Sequence, residues 1–202
     1  MVESFENIHK INTLKVKPEY LSQRDNLSSE GTPDHFTQCF IASDTMFLRW
    51  AQKTYQPSKK TLIDERAWLA AIENNLSGRE TRFFWAVHER ALNKVLNRID
   101  APFTLRAIPA NIQSIAEQIE SGFPTILSMM GTAYKETVKG HVWLAYWTEK
   151  NPQSEIGFGG HDPYGNALTG WKDQNGNRIF YGSKDLRKMI LPTCHYFKVI
   201  HK

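Results

Sequence analysis

The chain has 202 residues, 41% of them apolar, 12% aromatic and 23% charged. That is enough to bury one substantial core, and it excludes a disordered chain or a collagen-like repeat. No apolar run approaches the ~18 residues that a membrane-spanning helix needs, so stable membrane insertion is excluded as well.

The net charge of +4 and pI of about 9.0 favour anionic partners such as cell-wall polymer, nucleic acid or acidic lipid. The cations are scattered rather than gathered into a tail. The N-terminus, MVESFENIHK, has neither an apolar core nor a small-residue cleavage run. No signal peptide is expected, and the chain is read as cytoplasmic when made. Two cysteines, Cys39 and Cys194, cannot build a disulfide framework and are read as free thiols.

In chain order, Leu14 and Val16 alternate with polar neighbours as in a short strand ended by Pro18. SQRDNLSSEGTPDHFTQ follows as a long surface loop. From Cys39, Ala42, Met46 and Trp50 recur at four-residue spacing, which predicts a buried helix. Two more helices are predicted, over about 63–76, ending before Gly78, and over about 80–99. In the second, Phe84, Val87, Ala91, Val95 and Ile99 form the core stripe. ANIQSIAEQIESG is a short fourth helix between an Asn111 N-cap and a Gly122 stop.

Beyond Gly122 the texture is strand-like. FPTILSMMG and GHVWLAYWTE are strands, and EIGFGGHDPYG reaches a turn at Pro163–Gly165. Asn175–Gly176 reads as a hairpin turn before the strand NRIFYG. SKDLRKMI is a helical turn capped by Ser183, and HYFKVI a closing strand. Helices first and an antiparallel sheet second make an α+β chain, taken as one domain over 1–202.

Chemistry enters at Cys39. A helix N-terminus favours the thiolate, the nucleophilic form of cysteine. A thiolate needs a histidine base, an acceptor to orient that base, and donors for an oxyanion. His141 opens a strand after Gly140, Asp162 ends the next strand before Pro163, and Gln23 lies upstream.

Gln38 is a second amide, but a residue adjoining the nucleophile points away from it. His161 competes for the role of base, yet alternation sends it to the face opposite Asp162. A lone buried cysteine is more often inert packing, which is the reading of Cys194. The Gly157–Gly160 run reads as a bend, not a dinucleotide loop. The seven histidines show no metal-ligand spacing with the cysteines, so no metal or other cofactor is expected. Arg82, Arg90, Lys94 and Arg98 read as a solvated helix face rather than a nucleic-acid groove.

Five segments carry a resemblance: Gln23-Arg24-Asp25-Asn26; Cys39 with Ser43 and Met46; Gly122-Phe123-Pro124; Gly140-His141-Val142; and Asp162-Pro163-Tyr164-Gly165. In this order they resemble the C39-like branch of the papain-like cysteine peptidases. The resemblance implies a papain-like fold, with helices of the N-terminal half packed on a C-terminal antiparallel sheet. It implies Cys39 as nucleophile, His141 as general base and acid, Asp162 as its orienter and Gln23 as oxyanion donor.

Lysin-type members of the group act on peptidoglycan stem peptides. A basic, single-domain chain fits such an enzyme, released to the wall at lysis. Two other readings keep the scaffold: a thiol acyltransferase with the same triad, and an inactive module that binds peptide or wall polymer.

Overall fold

A computed structural model describes residues 10–27, 38–77 and 80–202. Most of the predicted surface loop, Gly78, Arg79 and the first nine residues lie outside the described residues. The elements are β1 (Lys10–Thr13), α1 (Cys39–Tyr55), α2 (Glu65–Glu73), α3 (Trp85–Arg98), β2 (Phe103–Pro109), α4 (Ile112–Glu120) and β3 (Thr125–Met129). They continue with β4 (His141–Lys150), β5 (Ile156–His161), β6 (Ile179–Tyr181), α5 (Ser183–Met189) and β7 (His195–His201).

One antiparallel seven-stranded sheet, ordered β2-β7-β3-β4-β5-β6 with β1 beside β4, organises the molecule. β3 pairs with the first half of β4 and stops at Thr125 opposite Ala145. β1 then takes the second half, with Thr13 opposite Trp147. Side-chain alternation along β4 separates two cores. Val142, Leu144 and Tyr146 join α1, α2 and α3 on one face, with Phe47, Leu48, Leu69, Leu92 and Leu96. Trp143 and Ala145 join α4 and α5 on the other, with Leu127, Phe158, Tyr181 and Leu186. Each large apolar side chain fully buried there contributes roughly 1.5–3 kcal/mol.

Helix α1 begins at Cys39, as its apolar spacing predicts, and is buried on nearly every side. α4 also starts as predicted: Asn111 accepts a hydrogen bond from Ser114 N, and Gly122 turns the chain at φ +96°.

Other expectations are corrected. The first strand lies at Lys10–Thr13 and ends before Leu14, which is buried in the core shared with α1, α2 and α3 instead. β2 is unexpected, although Phe103 and Leu105 alternate inward along it. α3 starts at Trp85. Its buried face is Val87, His88, Ala91, Leu92 and Leu96, while Phe84 is exposed and Val95 only half-buried.

Arg82 therefore precedes the helix and faces Glu73. Ser183 is the first residue of α5, not its cap, a position held by Gly182. The Gly157–Gly160 run is not a bend but part of β5. A Cβ on Gly159 would lie 1.7 Å from the Trp147 ring, so the absent side chain is what lets that indole cover the strand.

The Asn175–Gly176 pair is not a hairpin turn. β5 and β6 do pair, but the long segment 162–178 joins them. Gly176 instead bonds to residues distant in sequence. Its carbonyl accepts Asp162 N at 3.0 Å, and its N–H donates to the Tyr20 hydroxyl at 3.2 Å. A Cβ there would fall 1.6 Å from the Asp162 carbonyl oxygen.

Candidate active site

The first turn of α1, the start of β4 and the end of β5 meet at one end of the sheet. Ser43, one turn after Cys39, donates its hydroxyl to the Val142 carbonyl at 3.3 Å. That bond sets α1 in register with β4, so Cys39 falls beside His141. The Cys39 thiol, partly exposed, lies near enough to the His141 imidazole to favour its charged form. His141 Nε2 lies 2.6 Å from Asp162 Oδ1. With Nε2 engaged there, Nδ1 is the ring nitrogen left for sulfur.

Asp162 is fully buried, and both of its carboxylate oxygens are hydrogen-bonded. Oδ1 also accepts Tyr164 N at 3.0 Å, and Oδ2 accepts the Tyr181 hydroxyl at 2.8 Å. Burial alone would pull the His141 pKa down. The Asp162 charge and hydrogen bond, aided by Cys39, outweigh it and raise the pKa to about 10. His141 is therefore an imidazolium near neutral pH. The rings of Trp171 and Tyr164 flank it, at 5.6 and 6.2 Å between centroids.

The upstream amide is held at the same end. Gln23 is buried, and its N–H donates to the Pro163 carbonyl at 2.9 Å, one residue from Asp162. Arg24 clamps the same turn: Nε donates to the Tyr164 carbonyl, Nη2 to the Trp171 carbonyl, and the guanidinium lies 4.0 Å over the Tyr164 ring. Gln38 is turned elsewhere, its Nε2 donating to the Leu27 carbonyl and its Oε1 accepting from Asn26.

His161 lies on the other face, with Nε2 donating to the Pro18 carbonyl and Nδ1 accepting Arg178 N. Burial lowers its pKa to about 4, so it stays neutral. Cys194 is buried, its thiol directed to the Met189 carbonyl. Among the described residues no three His, Cys, Asp or Glu side chains form a group that could hold a metal ion. Among them also, no helix is long and apolar enough to cross a membrane.

Sequence reasoning gives no role to Tyr181, Trp171 or Arg24, because their roles depend on partners 19 to 147 residues away. It also passes over Asp44. That carboxylate is fully buried in α1, with Oδ2 accepting Trp68 Nε1 at 3.0 Å and lying 2.5 Å from His88 Nδ1. Phe40, directly after Cys39, stacks on the His88 ring at 3.6 Å. This second His–Asp pair has no exposed side and ties α1 to α2 and α3.

No protein-family profile matches the sequence, and no curated protein matches it. Solved structures do. UfSP from C. elegans superposes with a TM-score of 0.55 at 14% identity, over 96% of this chain and 34% of that one. The chain thus spans about a third of the length of that protein. A Bacillus anthracis protein described as a putative C39-like peptidase superposes with a TM-score of 0.52 at 9% identity, over 94% of this chain and 98% of that one. At such identities the likeness speaks for architecture alone: the chain has the mixed helix-and-antiparallel-sheet fold of the papain-like, C39-like group.

Proposed function

We propose that this chain is a cysteine peptidase that cleaves amide bonds through an acyl-enzyme. The observation that carries the reading is the row Cys39, His141, Asp162 and Tyr181, hydrogen-bonded from His141 to Tyr181, with Cys39 beside the imidazole and only the sulfur end meeting solvent.

Cys39 thiolate attacks the substrate carbonyl carbon, and the oxygen takes the negative charge. Gln23 and the Cys39 backbone N–H are the assigned donors for that oxygen. The His141 imidazolium protonates the departing amine as the C–N bond breaks, leaving a thioester. Neutral His141 then takes a proton from water, whose oxygen attacks the thioester and expels the thiolate. Asp162 keeps the ring oriented throughout, and Trp171 and Tyr164 shelter it.

The substrate class we assign is the peptide amide, with stem peptides of peptidoglycan as the specific candidate. The +4 charge, which favours an anionic wall, and the sequence resemblance to lysin-type members support that choice. The test incubates purified wall, and separately a denatured protein, with wild type and Cys39→Ala and assays new free amines. Release from wall by wild type alone supports the full reading. Release from protein alone moves the substrate to ordinary polypeptide. Turnover that demands an added amine makes the chain an acyltransferase. Equal retention of wall by both proteins without cleavage makes it a binding module.

A further inference from the structure

Glu65 lies at the first position of α2, remote in sequence from every residue given a role above. Its carboxylate is nonetheless tied to the active-site end of the molecule. Asn26 Nδ2 donates to Glu65 Oε1 at 2.8 Å and, from the same amide, to Gln38 Oε1 at 3.2 Å. Gln38 Nε2 in turn donates to the Leu27 carbonyl at 2.8 Å. Asn26 N donates to the Gln23 carbonyl at 3.1 Å, closing the turn that carries Gln23. Asn26 thus joins three things: the Gln23 turn through its backbone N–H, and through its side-chain amide the residue preceding Cys39 and a carboxylate on a separate helix.

We propose that Glu65 is a positioning residue for the oxyanion side of this cleft, acting through Asn26 on the Gln23 turn and on Gln38. The proposal rests on the peptidase reading.

The surroundings of Glu65 fit a group kept for its geometry. A carboxylate at a helix N-terminus is ordinarily comfortable as an anion. Here burial lifts its pKa to about 7, with Asp25 and Asp64 adding repulsion. The Asn26 hydrogen bond and Arg49 offset only part of this. Arg49 spends its Nε on the Ile63 carbonyl at 2.8 Å. The carboxyl is thus held in a partly dry site, where its polar partner is Asn26. A one-point donor–acceptor bond to a rigid helix is what a two-sided amide such as Asn26 needs to be fixed in orientation.

The test separates two reactions of the same sulfur. Alkylation of Cys39 by iodoacetamide needs an activated sulfur but no oxyanion donors. Acylation by p-nitrophenyl acetate needs both. In Glu65→Leu, acylation is expected to fall about tenfold or more, part of what loss of an oxyanion donor costs, while alkylation stays within about twofold of wild type. Glu65→Gln, which keeps an acceptor oxygen for Asn26, should restore most of the acylation rate. If Glu65→Leu does not fold, Asn26→Ala tests the other end of the same bond and should show the same split.

Unchanged acylation in these variants, or an equal fall in both reactions, overturns the positioning role. A wild-type Cys39 inert to both reagents sinks the peptidase reading, and this proposal with it.

Discussion

The hydroxyl of Ser43 donates to the carbonyl of Val142, joining a residue one turn beyond Cys39 to a residue one step beyond His141. The two halves of the site are thus aligned by a bond that takes no part in any chemistry. Alanine at position 43 should leave the helix intact and loosen only its register against β4. Its expected mark is a several-fold slower alkylation of Cys39, with a stability loss of about 1 kcal/mol. Iodoacetamide kinetics beside urea unfolding measure the two.

The reactivity of Cys39 itself is the most direct test. Mass-spectrometric mapping after brief iodoacetamide treatment at pH 6 should find Cys39 modified and the buried Cys194 untouched. His141→Ala should slow the reaction at least tenfold, because the imidazolium that faces the sulfur is gone. Comparable labelling of the two cysteines would contradict an activated Cys39.

Tyr181→Phe removes one hydroxyl and leaves Asp162 Oδ2 buried without its donor. A stability loss of about 1–3 kcal/mol is expected from that orphaned oxygen. Turnover should fall as well, since the carboxylate that orients His141 loses one of its anchors. Gly176→Ala should be worse on both counts, because its Cβ would displace the Asp162 carbonyl. Denaturant midpoints and kcat on a peptide ester read the series.

Asp44→Leu strips the buried His88 and Trp68 of their common acceptor. Removing one partner of a buried pair typically costs about 3–5 kcal/mol. Differential scanning calorimetry should show a large fall in Tm. A change below about 1 kcal/mol, the net worth of one ordinary hydrogen bond, would mean that the pair is dispensable to α1 packing.

Two buried groups give stability opposite slopes against pH. His161, held at about 4, resists protonation when folded, so its contribution is present above about pH 6.5 and is lost as pH falls through 4. Glu65, held at about 7, resists ionisation when folded. Its contribution is full below about pH 4.5 and is lost as pH rises through 7. Each is worth on the order of 1–3 kcal/mol and the two largely cancel. His161→Gln should therefore turn the profile between about pH 4.5 and 7 downward with pH, and Glu65→Gln should turn it upward. Urea midpoints across that interval are sufficient.

What can be read from sequence is local. The start of α1 at Cys39 follows from Ala42, Met46 and Trp50 on one face, and Asn111 announces α4 by its capping chemistry. The α3 face misleads because Phe84, which looks like core, is exposed, while His88 is buried by pairing with Asp44. Gly176 looks like a hairpin residue because Asn-Gly pairs favour tight turns. Its actual constraint is the Asp162 carbonyl, which only the folded chain brings near. Cys39, His141 and Asp162 can be singled out by residue type and order. Tyr181 and Glu65 cannot, since neither sits in a motif and each acts through a partner distant in sequence.

The strap of residues 18–24 is pinned almost wholly to residues 161–176: Pro18 to His161, Tyr20 to Gly176, Gln23 to Pro163 and Arg24 to Tyr164. It leaves a ribosome ahead of every helix described above, and must wait for partners made 140 or more residues later. Closing so long a loop is slow compared with forming the helices between. The Gln23 turn therefore assembles late, and a half-made chain carries the Cys39 helix without a finished cleft. If Cys39 is the nucleophile we propose, synthesis order alone keeps incomplete copies inert.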